Sequence, residues 1–257
     1  MEKLLRVSLV KKLSNKLNGI SACFSDIIFP IKCINCGKEG EFICKKCFSL
    51  LPKNSFQVCP VCEKTILSNG DVCNHCRQRV SSPINRLFVV SDYKDPLLSK
   101  SIHYLKYNFV ADLAKPLGTL MIQTMLRLGS SPTPDVIIPI PLHNRRLRWR
   151  GFNQSALLAN VIAKDLLPGM EIEVLEDVIA RKSSTKPQMK IKDYGARQKN
   201  IQGCFQIDPT ANKKVTAKRI LLVDDICTTG STINECAKEL RKLNPKSISA
   251  VVLARQS

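Results

Sequence analysis

One run, from Ile220 to Thr232, constrains the fold of this chain more than any other part of the sequence. Four apolar residues that favour strands, 220–223, lead straight into the adjacent carboxylates Asp224 and Asp225. A turn rich in threonine and glycine follows, and a helix-compatible stretch begins at about Thr232. This order predicts a buried strand whose carboxyl end, where open α/β sheets bind ligands, carries an acidic pair beside a helix N-terminus. Because helix N-termini attract phosphate and carboxylates accept hydrogen bonds from a diol, the run favours a phosphorylated sugar as ligand.

The same run resembles the loop that binds 5-phosphoribosyl-1-pyrophosphate (PRPP) in type I phosphoribosyltransferases. The resemblance implies that Asp224 and Asp225 face the ribose hydroxyls and that the following turn wraps the 5′-phosphate. The PRPP-binding residues of this turn would be Thr228, Thr229, Gly230, Ser231 and Thr232. A P-loop is excluded, because no Gly-Lys-Ser/Thr stands at the required spacing. The alternative is an ordinary buried strand with an Asp-rich turn that caps a helix.

Cysteine spacing gives a second strong signal. Eight of the twelve cysteines fall into four Cys-x-x-Cys pairs. Two intervening residues let both thiolates of a tight turn reach one ion, and two such turns complete a tetrahedron without an open position. The spacing therefore predicts two structural Zn²⁺ ions, bound by Cys33, Cys36, Cys44 and Cys47 and by Cys59, Cys62, Cys73 and Cys76. We favour this sequential pairing, while a cross-braced arrangement of the same ligands is the alternative.

Pattern changes along the chain predict three regions. Residues 1–28 have the leucine stripe of an amphipathic helix, residues 29–82 form the double zinc module, and Ser81-Ser82-Pro83 marks the boundary to a domain over 83–257. In that domain, strands alternate with helices, which predicts an α/β fold with a mostly parallel sheet and flanking helices. The predicted strands are 87–90, 136–138, 171–178, 220–223 and 247–253, and the predicted helices are 97–107, 113–128, 153–167 and 232–243.

The hydropathy pattern predicts no transmembrane segment. No run of about 18 uninterrupted apolar residues exists, and lysines interrupt the apolar core that a signal peptide would need. Because the cysteine pairs are also typical of reduced, metal-binding thiols, we expect a cytoplasmic protein.

A proline-rich turn precedes an arginine cluster in the middle of the chain. The turn consists of Pro139, Ile140, Pro141 and Leu142, and the cluster consists of Arg145, Arg146, Arg148 and Arg150. The turn resembles the pyrophosphate loop of type I phosphoribosyltransferases. Guanidinium groups suit phosphate oxygens because their donors match in pairs, although a solvated helix face is the alternative.

Further motifs are similar to the ComF family, whose members join a cysteine-rich zinc module to a phosphoribosyltransferase-like domain. The resemblance rests on 150–154 (Arg-Gly-Phe-Asn-Gln), the 139–142 turn, 103–107 and 181–188, and it extends from about residue 29 to 253. It implies a type I phosphoribosyltransferase-like fold with a small zinc-ribbon-like module. It also implies a link to natural competence, the uptake and processing of transforming DNA.

The stretch 181–202 resembles the hood loop that closes over the active site in this enzyme class. It carries seven basic residues against the single acid Asp193. Such a loop would close over a pyrophosphate and exclude water. A disordered basic linker is the alternative.

The resemblance implies that PRPP binds together with Mg²⁺ and that Asp224, Asp225, Arg150 and Arg181 are the catalytic residues. Three hypotheses stay open: a phosphoribosyltransferase, a non-catalytic PRPP- or nucleotide-sensing module, and a zinc-containing protein that handles single-stranded DNA. The net charge of +19 predicts an anionic partner without choosing between them. Aromatic residues make up only 5% of the chain, with one tryptophan, so we expect platforms for base stacking to be sparse. Single-stranded DNA and DNA-uptake proteins are further candidate partners, while the acceptor and the oligomeric state are not predicted.

Overall fold

The computed structural model describes residues 30–52, 57–66, 70–129, 133–182 and 201–256. The predicted helix 1–28 and most of the predicted hood loop, 183–200, lie outside these ranges. The chain divides into two compact units, residues 1–50 and 51–257. The first cysteine quartet therefore belongs to one unit and the second quartet to the other.

The first unit contains a metal-binding knuckle and a short helix. The Cys33 N–H donates to the Lys38 carbonyl at 2.8 Å, and the Gly37 N–H donates back to the Cys33 carbonyl at 2.9 Å. This tight turn places two cysteines on one side of the loop. The helix α1, Lys45–Ser49, begins directly after Cys44 and presents Cys47 to the same side.

The second unit begins with a ribbon of the same design. Strands β1 (Gln57–Val58) and β2 (Thr65–Ile66) pair antiparallel, and the helix α2 (Asn74–Arg79) follows. The Glu63 N–H donates to the Cys59 carbonyl at 2.9 Å, which closes the knuckle.

A five-stranded parallel sheet forms the centre of the second unit, in the order β3-β9-β8-β4-β5. These strands are β3 (Arg86–Asp92), β4 (Val136–Pro139), β5 (Glu173–Val174), β8 (Arg219–Cys227) and β9 (Ser247–Arg255). A separate antiparallel hairpin joins β6 (Ile179–Arg181) and β7 (Phe205–Ile207). The prediction of a mostly parallel α/β fold is confirmed.

Helices cover both faces of the sheet. They are α3 (Pro96–Tyr107), α4 (Ala114–Arg127), α5 (Asn144–Arg150), α6 (Gln154–Asp165), α7 (Asn212–Val215) and α8 (Ser231–Arg241), with a 3₁₀ turn at Ala111–Leu113. Helices α4 and α6 pack on one face, and α8 packs on the other, where Ile233, Cys236 and Leu240 join alternate strand residues in one core. In the ranges given above, no helix is both long and apolar enough to cross a membrane.

Two predicted strand boundaries are wrong. The strand expected over 220–223 continues to Cys227 and includes both carboxylates, because pairing with β9 outweighs the low strand propensity of aspartate. The strand expected over 171–178 is reduced to the two residues of β5, and the next strand begins only at Ile179. The other predicted strands and helices are confirmed to within a few residues.

The second ribbon covers the free edge of the sheet at β3. The side chain of Gln57 is buried and pairs with the backbone of Val89, donating to its carbonyl at 3.0 Å and accepting from its N–H at 3.2 Å. The Leu87 N–H donates to the Gly70 carbonyl at 2.9 Å. Gly70 has a φ of +82°, and a Cβ there would lie 2.3 Å from the Leu87 oxygen, so no other residue fits. An edge strand that would otherwise present unpaired N–H and C=O groups is thus protected.

Candidate functional site

The site arises where two neighbouring strands end at different heights. Strand β4 ends at Pro139, opposite Val223 of β8, and the Ile140 N–H donates to the Val223 carbonyl at 2.9 Å. Strand β8 continues to Cys227 alongside β9 only. The chain that leaves β4 turns away into α5, so the last residues of β8 border an opening at the carboxyl end of the sheet. This is the position at which parallel α/β sheets bind their ligands.

A cavity of about 350 Å³ occupies this opening. It brings together most of the predicted site residues from four separate parts of the chain: Asp224, Asp225, Thr228 and Thr232, the turn residues Ile140, Pro141 and Leu142, and the arginines Arg150 and Arg181. The remaining predicted residues, Pro139, Thr229, Gly230 and Ser231, lie beside this cavity without lining it. Gly230 instead borders a much smaller cavity of about 10 Å³ together with Thr228 and Thr232.

The turn 228–232 leads from the end of β8 into the N-terminus of α8. Gly230 has a φ of +67° and immediately precedes the first helical residue, Ser231. The hydroxyl groups of Thr229 and Ser231 hydrogen-bond to each other at 2.5 Å, and both side chains are buried. The first N–H groups of a helix lack partners within the helix, so this turn presents donors and partial positive charge.

The two carboxylates lie in different surroundings. Asp224 Oδ1 accepts hydrogen bonds from the Ser155 hydroxyl and from the Asp225 N–H, each at 2.9 Å. Asp225 Oδ1 forms an ion pair with Lys106 Nζ at 2.8 Å, and both side chains are largely buried. Burial, and after it the charge of Asp225, raises the pKa of Asp224 to about 7. The carboxyl of Asp224 is therefore about half protonated near pH 7, while Asp225 has a built-in cation as its partner.

One oxygen of the pair has an unused hydrogen-bonding capacity. Asp225 Oδ2 is buried and has no hydrogen-bond partner among the described residues. A buried carboxylate oxygen without a partner is costly unless a ligand supplies a donor or a cation. The acidic pair thus fits a ribose hydroxyl, and its oxygen donors also fit Mg²⁺, which prefers carboxylate oxygens together with phosphate.

Two arginines from separate elements line the cavity. Arg150, at the end of α5, is only 8% exposed, hydrogen-bonds to Gln154 Oε1, and leaves its buried Nε without a partner in the described ranges. Arg181, the last residue of β6, lies with its guanidinium over the Phe205 ring, 5.7 Å from the ring centroid. Burial lowers the pKa of both guanidinium groups. Poorly hydrated guanidinium groups beside a cavity suit an anionic ligand.

Sequence reasoning missed the role of three residues at this site. Lys106 on α3 and Ser155 on α6 contact the acidic pair, and Trp149 lines the cavity. The motif 103–107 drew attention to Lys106 by resemblance, yet nothing in its spacing indicated a carboxylate partner. Ser155 follows the predicted 150–154 motif directly, and this adjacency was the only available signal.

Eight cysteines form two clusters. In each predicted quartet, the four Sγ atoms lie within 4.8 Å of one another, so the sequential pairing is confirmed and the cross-braced one is wrong. The Cys44 N–H points to Cys33 Sγ at 3.5 Å, and the Cys73 N–H points to Cys59 Sγ at 3.4 Å. Burial opposes ionisation of Cys33, but backbone N–H groups outweigh it and lower the pKa of this thiol to about 6. Burial and the neighbouring thiols raise the pKa of Cys76 to about 12. Four crowded sulfur ligands of this kind fit Zn²⁺, whose charge allows all four thiolates to form.

Comparisons with known proteins agree with both parts of the molecule. The family model of the phosphoribosyl transferase domain matches residues 153–257, and that of the double zinc ribbon domain matches residues 24–77. Competence protein F of Haemophilus influenzae is 29% identical over 88% of this chain and 98% of its own length. The DNA utilization protein YhgH of Salmonella typhi is 31% identical over 83% of this chain and 90% of its own length. Competence protein ComFC of Bacillus subtilis is 28% identical over 85% of this chain and 86% of its own length. With the two cysteine clusters, the ribbon match assigns structural zinc to both quartets.

Proposed function

Because the chain belongs to the ComF family of competence proteins, we propose that it binds PRPP in the cavity at the end of β8 and transfers its phosphoribosyl group to a nitrogen acceptor. The observation that carries this proposal is the convergence on one cavity of an acidic pair, a helix N-terminus and two poorly hydrated arginines. The acidic pair suits a ribose diol, the helix N-terminus suits a 5′-phosphate, and the arginines suit a pyrophosphate.

The proposed binding mode uses each part of the site once. The turn 228–232 holds the 5′-phosphate with its N–H groups and hydroxyls. Asp224 and Asp225 accept hydrogen bonds from the ribose hydroxyls, and the unpartnered Oδ2 of Asp225 gains a donor. Arg150, Arg181 and the turn 139–142 receive the pyrophosphate. Mg²⁺, when bound with PRPP, would neutralise pyrophosphate charge.

The chemistry that this arrangement favours is dissociative substitution at the ribose C1. The C1–O bond breaks, and its electron pair leaves with the pyrophosphate, whose growing negative charge Arg150 and Arg181 stabilise. Positive charge that develops on the ribose ring is stabilised by the acidic pair. The lone pair of the nitrogen acceptor forms the new bond to C1, and this nitrogen then releases its proton.

Calorimetric titration of the zinc-loaded protein with PRPP, with and without Mg²⁺, tests the binding site. We expect binding that strengthens with Mg²⁺ and disappears in the double variant Asp224→Asn, Asp225→Asn, because the ribose hydroxyls lose their carboxylate acceptors. Asp112→Asn is the matched control, since Asp112 is an exposed carboxylate outside the cavity. PRPP binding that persists unchanged in the double variant would exclude this site.

Release of pyrophosphate from PRPP in the presence of nitrogen nucleophiles tests the transfer. We expect release that depends on both Arg150 and Arg181, because each variant leaves the departing pyrophosphate with less positive charge. PRPP binding without release with any acceptor would favour the sensing module over the enzyme.

We place this activity in the use of DNA that a cell takes up, in the reducing cytoplasm where zinc-bound thiols persist. The names of the relatives from Haemophilus influenzae and Bacillus subtilis support this assignment. A transformation assay in a strain that lacks its own competence protein F tests it. The parent chain should restore transformation, and the double variant Asp224→Asn, Asp225→Asn should not. Restoration by both would separate the competence role from the proposed site.

A further inference from the structure

An exposed aromatic cluster lies at the mouth of the cavity, although so few aromatic residues made a stacking platform unexpected. Trp149, the single tryptophan of the chain, is 58% exposed, and Tyr107 and Phe109 are 45% and 43% exposed. The Trp149 ring meets Phe109 edge-on with centroids 5.3 Å apart, and the centroid of the tilted Tyr107 ring lies 6.3 Å away. The neighbouring rings thus hold Trp149 in place without covering it.

The backbone at Phe109 is held in a conformation that its side chain disfavours. Phe109 follows the last turn of α3 with a φ of +59°, in the left-handed region that glycine usually occupies after a helix. A bulky residue there costs free energy, and such strain concentrates at functional positions. Because Phe109 is 43% exposed, burial in a core does not explain why phenylalanine stands there. Its edge-on contact with Trp149 does give the ring a role.

The aromatic cluster is continuous with the proposed ligand site. Trp149 and Tyr107 line the same cavity as Asp224, Asp225 and Thr228. The Arg150 guanidinium lies over the Tyr107 ring, 5.6 Å from its centroid, so one face of Tyr107 is already occupied. Among the described residues, Trp149 is therefore the main exposed aromatic neighbour, at the cavity mouth, of a ligand whose phosphate and ribose lie at the end of β8.

We propose that Trp149, supported by Tyr107 and Phe109, is the stacking surface for the nucleobase of a nucleotide whose phosphate and ribose occupy the cavity. Every nucleobase has a flat π face, and stacking on an exposed aromatic ring is favourable without any specific hydrogen bond. The site lies on α3 and α5, outside the stretch 181–202 in which the hood loop was expected. The proposal rests on the proposed function, because the phosphate and ribose sites hold the nucleotide in place.

Two ligands that differ only in the base separate the two proposals. AMP and ribose 5-phosphate carry the same phosphate and ribose, but only AMP can stack. We expect AMP to bind the zinc-loaded protein about tenfold more tightly than ribose 5-phosphate, as calorimetric titration would measure. Since Trp149 is the only tryptophan, AMP should also quench its fluorescence, whereas ribose 5-phosphate should leave the emission nearly unchanged.

Variants of the cluster test whether stacking causes the difference. Trp149→Leu should lower the affinity for AMP to that for ribose 5-phosphate and leave ribose 5-phosphate binding as it was. Phe109→Gly, which relieves the backbone strain, should lower the AMP affinity by a smaller factor. Met170→Ala, which truncates an exposed apolar side chain elsewhere, is the matched control and should change neither affinity.

Three results would overturn the inference. Equal affinity of the parent protein for AMP and ribose 5-phosphate would show that the base gains nothing from the cluster. An equal loss of both affinities in Trp149→Leu would show that the side chain only maintains the site. No binding of AMP, ribose 5-phosphate or PRPP by the folded protein would overturn the proposed function, and this inference with it.

Discussion

Asp224 is a carboxyl group whose protonated form the fold favours. Its pKa is raised to about 7, first by burial and then by the charge of Asp225. Between the ordinary value of 3.8 and about 7, the native state therefore holds this proton more tightly than the unfolded chain does. The resulting contribution to stability is fully present below about pH 4 and is lost as the pH rises through about 7. Above about pH 7, the native protein carries the buried charge of the Asp224 carboxylate, which lowers its stability but serves the proposed ligand site.

We therefore expect Asp224→Asn to stabilise the ligand-free protein in a pH-dependent way. The amide stays neutral, and its Oδ1 can still accept from Ser155 and from the Asp225 N–H. The free energy of unfolding should rise by on the order of 2 kcal/mol at about pH 8 and by progressively less toward about pH 4. Urea unfolding of parent and variant across this range measures the effect. Asp112→Asn is the control for removing one negative charge from a basic chain, and a gain independent of pH would contradict the expectation.

Single residues of the site were predictable only where their neighbours in sequence carry the signal. Asp224 and Asp225 stand in one run with the strand and the turn, so their place at the end of the sheet follows from the pattern. Lys106 contacts Asp225 from α3, a helix that the pattern identifies but cannot orient relative to β8. The left-handed backbone of Phe109 is likewise invisible, because no glycine or asparagine stands there to indicate it.

The register between strands β4 and β8 depends on an ion pair at the point where both strands begin. Asp135 precedes β4, and its carboxylate accepts three hydrogen bonds from Arg219, the first residue of β8: from the backbone N–H at 2.7 Å, from Nε at 3.0 Å and from Nη2 at 2.6 Å. The Asp135 N–H donates to the Arg219 carbonyl at 2.8 Å. These contacts fix the two strands whose unequal ends create the cavity. The bonds from Arg219 lower the pKa of Asp135 to about 2.

We expect Asp135→Asn to lower the free energy of unfolding by about 1–2 kcal/mol near neutral pH. Because the native pKa is lowered, this contribution is present above the ordinary value of 3.8 and is lost as the pH falls toward about 2. The difference between parent and variant, measured by urea unfolding, should therefore shrink below about pH 4. Asp177→Asn removes a more exposed pair with Lys214 and should cost less than about 0.5 kcal/mol. Equal costs for the two variants would argue against a special role of the Asp135 pair.

Helices with a clear apolar periodicity were predictable, whereas the length of a strand that depends on its pairing partner was not. The apolar stripes of α3, α4 and α6 identify these helices almost to the residue. The length of β8 depends on β9, which pairs with it as far as Cys227, and no pattern within residues 224–227 reveals that partner. The cavity itself results from the difference in length between β4 and β8. Its existence could therefore be inferred only from the resemblance to phosphoribosyltransferases.

At the scale of the whole molecule, the second zinc ribbon is part of the sheet that carries the site. It covers the edge of β3 through Gln57 and Gly70, and the Asp71 carboxylate binds Arg86 at 2.7 Å and 3.0 Å. Glu63 of its knuckle forms an ion pair with Arg255 at the end of β9. In the strand register, Arg255 lies opposite Cys227, and Cys227 is the residue directly before the turn 228–232. The zinc-binding ribbon thus contacts both the edge strand β3 and the end of β9, which lies beside the proposed phosphate turn.

Loss of the second zinc should therefore weaken the sheet unit itself. We expect the double variant Cys73→Ser, Cys76→Ser to lose one of two zinc ions per chain and to unfold the sheet unit at a clearly lower temperature, because the ribbon contacts on β3 and Arg255 lose their support. The matched control is Cys33→Ser, Cys36→Ser, which removes the other zinc from the unit comprising residues 1–50. Trp149 fluorescence reports on unfolding of the sheet unit alone, since the single tryptophan lies within it. Equal shifts in the two variants, or none in the first, would mean that the second ribbon does not stabilise the sheet. A lower unfolding temperature confined to the Cys73→Ser, Cys76→Ser variant would identify its zinc as a structural support of the ligand site.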